Sequence, residues 1–138
     1  MLAAPGCGDV WWTAPVDEQP DEVGEVEHWS DVYEDALRRN DVDLLNGLFL
    51  DRPDVLRFGV ADEQHGYAEL VAWRAGAPAI SPQRQITGRW IVALAPGVVA
   101  VDLTFADDGQ HTGRQSQTWL RADDGWRISR AHVSIIPR

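Results

Sequence analysis

From residue 22 onward the apolar side chains fall at three- and four-residue spacing: Val26, Trp29, Val32, Tyr33, Ala36 and Leu37, with Glu25, Glu27, Asp31, Glu34, Asp35 and Arg38 between them. That period predicts one amphipathic helix, with Tyr33 on or at the margin of its buried stripe. Asn40-Asp41 breaks and restarts the chain. Asn suits a left-handed helix exit, and Asp caps a second helix whose apolar set is Leu44, Leu45, Leu48 and Phe49. Asp51-Arg52-Pro53 ends it. VLRFGV, residues 55–60, reads as a short strand in which Arg57 shares a face with Val55 and Gly59, opposite Leu56, Phe58 and Val60. GYAELVAWRAG, residues 66–76, reads as a short helix closed by Gly76 and Pro78.

After residue 84 the period changes to two. Ile86, Trp90, Val92 and Leu94 alternate up to Pro96-Gly97, and Val99, Val101, Leu103 and Phe105 up to Asp107-Asp108-Gly109; segments at about 111–122 and 126–136 then flank Asp123-Asp124-Gly125. Helices first and a long antiparallel meander second predict an α+β fold in which the sheet curls around the helices and encloses a cavity. With 138 residues and seven Trp, the chain has material for one core, placed at residues 22–138. Residues 1–21, rich in Pro, Gly and acid, read as an extended arm whose Trp11–Trp12 pair docks on the domain or on a partner subunit.

Charge narrows the chemistry. The formal net charge is −10, with 14 acidic residues against 3 Arg in residues 1–54 and 8 against 9 in the remainder. No basic patch for nucleic acid or an anionic membrane is expected, although a small anion would suit the second half. All 12 basic residues are Arg, which removes lysine Schiff-base chemistry and Walker-type phosphate loops. Cys7 is the only cysteine, so neither an intrachain disulfide nor a thiolate zinc site is available. No signal peptide and no run of transmembrane length is legible, so a cytoplasmic protein is expected. Glu25 and His28 have the Glu-x-x-His spacing of di-iron bundles, but a single copy without companion Glu residues predicts no metal. No cofactor is expected either.

The segment GRQSQTW, residues 113–119, is polar for a strand. It is either a solvated edge or a pocket wall. Together with YEDAL (33–37), NDVDLLNGLF (40–49), RFGVADEQHG (57–66), and GWRI and AHVS (125–134), it resembles the AtzH-like proteins, relatives of the oxalurate-catabolism HpxZ proteins within the nuclear-transport-factor-2-like (NTF2-like, SnoaL-like) superfamily. The resemblance spans residues 23–136. It implies a cone enclosing a pocket, and hydrolysis or decarboxylation of small urea-derived N-carboxylates such as 1,3-dicarboxyurea, alongside an amidase of the AtzE type. It also implies a Tyr and an Arg as key residues, matched here by Tyr33 and Arg57. Three positions depart from the family pattern: Trp73-Arg74 stands where Phe-Arg is usual, Ala77 replaces a second Arg, and Arg130 replaces a small residue.

On strand alternation alone, a hairpin turning at Asp123-Asp124-Gly125 groups Arg114, Ser116, Thr118 and Leu120 with Ile128, Arg130, His132 and Ser134. That face is expected to line the pocket. Arg114, Ser116, His132 and Arg130 are therefore expected substrate-binding residues, and the resemblance adds Trp73 to them and implies Tyr33 and Arg57 as catalytic. The opposite face, Gln115, Gln117 and Trp119 with Ala131, Val133 and Ile135, is expected to pair two copies into a homodimer. Other readings of the residues stay open. Tyr33 also suits a plain core position, Arg57 an ion pair with Asp35, and the whole domain an accessory or ligand-binding subunit of the amidase. A different cone-fold isomerase or dehydratase would need His132 or Asp102 as its base.

Overall fold

The computed structural model describes residues 21–107 and 111–136. Cys7, the Trp11–Trp12 pair and nearly all of the arm expected at residues 1–21 lie outside them. Helix α1 (Glu22–Arg39) is capped by the Asp21 carboxylate, which accepts from the Gly24 amide at 2.9 Å. It ends where Asn40 enters the left-handed region at φ 54° and bonds back to the last carbonyls. The Asp41 side chain then caps α2 (Val42–Gly47) through the Leu44 amide. Both expected caps are present.

The chain continues through β1 (Leu56–Phe58), β2 (Glu63–His65), α3 (Tyr67–Gly76), β3 (Gln85–Ala95), β4 (Val98–Asp107), β5 (His111–Ala122) and β6 (Gly125–Ile136). These form one six-stranded sheet in the order β2-β1-β6-β5-β4-β3. The four long strands are the expected antiparallel meander, while β1 joins parallel to β6. The architecture is α+β, as the order of periods predicted. Strand β2 carries no apolar alternation and was not legible; it exists because Gly59 and Asp62 close a tight turn, with the Gly59 amide on the Asp62 carbonyl at 2.8 Å.

The three helices pack on one side of the sheet. Val26, Tyr33 and Ala36 from α1, Leu45 from α2 and Leu70 from α3 meet Val99 and Val101 of β4, Trp119 of β5, and Trp126 and Ile128 of β6. Charged links seat α1 on the sheet: the Glu22 carboxylate accepts from the Gly97 amide at 3.0 Å, and Arg89 of β3 donates to Asp31 at 2.7 Å. Glu25 accepts from the Trp126 indole at 2.8 Å and from Arg121 at 2.9 Å, which commits it to the helix–sheet contact.

The last hairpin corrects the expected orientation of its faces. Arg114 pairs with Ser134, Ser116 with His132 and Thr118 with Arg130, the expected grouping. That group, however, points away from the helices, and Gly113, Gln115, Gln117 and Trp119 are the buried side of β5. Trp119, fully buried, decides the matter: turning the strand over would expose its indole and bury Arg114. Beyond Thr118 the strand β6 carries one extra residue, Ser129, so Ile128 pairs with Trp119 on the inner face rather than joining Arg130. This bulge is what alternation alone misses.

Candidate functional site

Between the helices and the inner face of the sheet lies a cavity of about 360 Å³. Three arginines face it, and each is held differently. Arg57 projects from β1 on the inner face, in register with Ala131 of β6. Its Nη1 donates to Asp62 Oδ1 at 2.8 Å and to Gln64 Oε1 at 2.9 Å, and its guanidinium carbon lies over the Trp73 ring, 3.9 Å from the centroid. Gln64 in turn donates to Asp62 at 2.9 Å, so the plane of Arg57 is fixed by a closed set of bonds. The Nε and Nη2 donors of Arg57 have no protein partner among the described residues. Arg57 thus pairs with Asp62, not with Asp35, whose partner is Arg39.

Arg84, just before β3, is tied to Glu34 of α1 by Nε–Oε1 at 2.8 Å and Nη2–Oε2 at 3.2 Å. Gln115 joins both, accepting from Arg84 at 3.1 Å and donating to Glu34 at 3.2 Å, while the guanidinium stacks on Phe105 at 3.9 Å. Every member is buried and paired, and this cation is neutralised within the fold.

Arg74 is the exception. Its Nε donates to the neutral Asn46 Oδ1 at 2.9 Å, and among the described residues no carboxylate pairs with it and its buried Nη2 has no acceptor. Burial pushes its guanidinium below the ordinary value; the neighbouring Tyr33 phenol opposes that shift and the positive Arg57 adds to it. A guanidinium does not lose its proton in a protein, so the cavity keeps a positive charge that no carboxylate among the described residues pairs with.

Tyr33 stands in the same space. It is 5 % exposed, its ring meets Phe49 edge-on at 6.3 Å, and its phenol neighbours the Arg74 guanidinium. A phenol donor, a flat cation with a free edge and an unpaired cation therefore converge on one apolar-walled space, the arrangement of a small-anion site.

Of the expected site residues, Tyr33, Arg57 and Trp73 are brought together there. His132 borders the cavity, but its ring stands edge-on to Phe58 at 5.5 Å, and both residues also border a shallow groove on the outer face. Arg114 and Ser116 are exposed on the outer face and do not line the cavity. Arg130 turns outward and donates to the backbone carbonyls of Asp54 and Ser129. All three were misplaced for the reason given above. Asp102, the other expected base, is also exposed on the outer face, opposite Ser116.

Four contributors went unrecognised: Arg74, Arg84, Gln115 and Gln117. Arg74 was findable, because it follows buried Leu70 by one helical turn on α3. Gln115 and Gln117 were findable too, since they share strand parity with Trp119. Nothing in the sequence marks Arg84.

No curated protein matches this sequence. A model of the AtzH-like family matches residues 15–138. Among solved structures, a cystatin-like-fold protein from Burkholderia xenovorans is 36% identical, with 87% of this chain and 95% of that one covered and a TM-score of 0.82. A DUF3225-family protein of unknown function from Pectobacterium atrosepticum is 32% identical over 90% of this chain and 98% of that one, also with a TM-score of 0.82. An NTF2-like family protein from Streptomyces avermitilis shares the fold at 18% identity and a TM-score of 0.71, over 85% and 97% of the two chains. No helix among the described residues is long and apolar enough to cross a membrane.

Proposed function

This chain belongs to the AtzH-like family of the NTF2-like superfamily, and from that premise we propose that its cavity binds a small urea-derived N-carboxylate and promotes loss of the carboxyl group, by decarboxylation or as part of amide hydrolysis. The observation that carries the proposal is the buried, unpaired Nη2 of Arg74 beside Tyr33 and Arg57. A buried donor without an acceptor costs about 1–3 kcal/mol, more when charged, and a ligand carboxylate removes that cost.

The chemistry asked of the protein is modest. Arg57 offers its free Nε and Nη2 as a fork to one carboxylate, with Trp73 and Asp62 holding the plane. Tyr33 donates its proton to the departing nitrogen as the C–N bond breaks; the bonding electrons go to nitrogen, carbon dioxide leaves, and solvent reprotonates the phenolate. The positive Arg74 stabilises that phenolate while it exists. The alternative of a non-catalytic subunit that delivers the ligand to an AtzE-type amidase uses the same cavity, without the proton transfer. Binding is tested with malonate, a stable dianion, by calorimetry. Wild type should bind it, and Arg74→Met should weaken binding about ten-fold or more. Equal affinities would remove Arg74 from the site.

The same premise carries a proposal for assembly, moved to the face the structure leaves bare. Trp90, Val92 and Leu94 are exposed on β3, Trp90 at 59 %. One cross-strand row runs Trp90, Asp102, Ser116, His132, Phe58, and the next runs Val92, Ala100, Thr118, Arg130, Leu56. An apolar margin beside a centre holding both Asp102 and Arg130 is self-complementary under a two-fold axis, so a homodimer through this face is expected. Trp90→Glu should convert it to a monomer in light scattering at micromolar concentration. A Trp90→Glu protein of unchanged mass, or a monomeric wild type, would refute this interface.

A further inference from the structure

Two glutamines of β5 face the cavity, and they are held in opposite ways. Gln115 has its amide oxygen on Arg84 and its amide nitrogen on Glu34, which completes both ends. Gln117, 4 % exposed, has only its oxygen engaged, accepting from the Trp119 indole Nε1 at 3.1 Å. Its Nε2 is buried and has no acceptor among the described residues. The direction of this amide is dictated by chemistry, because an indole N–H only donates. The oxygen must turn to Trp119, so the amino group turns away from it.

We propose that Gln117 is a specificity-determining donor that reads a neutral carbonyl oxygen on the ligand. The proposal rests on the anion-binding reading of the cavity and narrows it. The carboxylate charge is met by Arg57 and Arg74, whereas Gln117 is neutral, fixed in direction and set among apolar neighbours. A ligand carbonyl is the partner that completes it. A methyl or methylene in the same place would leave the donor buried and unsatisfied. The ligand class is then a small carboxylate that also bears an amide or ureido carbonyl, preferred over a plain aliphatic acid of the same shape. Trp119 is a positioning residue in this scheme, acting only through the amide it orients.

Malonamate and isovalerate test it, since they share a carboxylate and a branched outline but only the first carries an amide carbonyl. Wild type should prefer malonamate by about ten-fold or more in a calorimetric titration. Gln117→Met, similar in length and without a donor, should bring the ratio to about two-fold or less, through weaker malonamate binding with isovalerate little changed. A preference that survives Gln117→Met, or a variant that weakens both ligands equally, would overturn the proposal. Wild type that binds malonate yet shows no preference would overturn the proposal while leaving the anion site standing; wild type that binds none of the three would remove both. A readout without any variant is the Gln117 side-chain amide resonance, assigned through its proximity to the Trp119 indole proton. It should shift with malonamate and not with isovalerate, and an unmoved resonance with malonamate bound would equally overturn the idea.

Discussion

Tyr33→Phe should lower the rate of carboxyl loss by about 10²–10⁴-fold with little change in ligand affinity, since a positioned proton donor contributes on that scale. The substitution deletes one oxygen and keeps the ring that packs edge-on against Phe49. Stability should hold within about 1 kcal/mol. Arg57→Ala should act on a different parameter. It removes the fork and the stacking partner of Trp73, and it leaves Asp62 and Gln64 with only each other. Substrate binding should weaken by about 2–5 kcal/mol, seen as a raised KM with a smaller change in kcat. If both variants are folded and both turn over at the wild-type rate, neither residue carries the chemistry.

Glu34→Ala should be strongly destabilising, because Glu34 anchors Arg84 and Gln115 of the cavity wall from behind. The carboxylate is buried and accepts from Arg84 twice and from Gln115 once. Removing it leaves the buried Arg84 guanidinium with only the neutral Gln115 as a hydrogen-bond partner, which costs about 3–5 kcal/mol and lowers the midpoint of thermal unfolding by roughly 10–20 °C. Asp35 is the control, one residue on. Its pair with Arg39 is more than half exposed on both sides, so Asp35→Ala should cost no more than about 0.5 kcal/mol. Urea unfolding of the two variants side by side measures the contrast. Equal losses would mean that the buried triad does not hold α1 to the sheet.

The gap between the sequence reading and the structure follows from what each signal encodes. Helix period, the Asn40-Asp41 hinge and strand alternation are local, and the elements they predict are present. Tyr33, Arg57 and Trp73 were reached through family resemblance; their convergence on one cavity is a property of packing. The orientation of β5 was legible in principle, because Trp119 outweighs every other side chain on that strand, but polar Arg114 and Ser116 look more like ligand-binding residues than Gln115 and Gln117 do. The Ser129 bulge and the short strand β2 are written in no periodicity. Arg84 lies 50 residues from Glu34, and no local pattern links a loop arginine to a carboxylate on a distant helix.

The most direct measurement is the release of labelled carbon dioxide from a ¹³C-carboxylated urea generated in place by an AtzE-type amidase, followed with and without this protein. Wild type should accelerate release well above the spontaneous rate, and Tyr33→Phe should return it close to that rate. Release that proceeds at the spontaneous rate with folded, ligand-binding wild type would contradict the catalytic reading and leave a carrier or accessory subunit in its place.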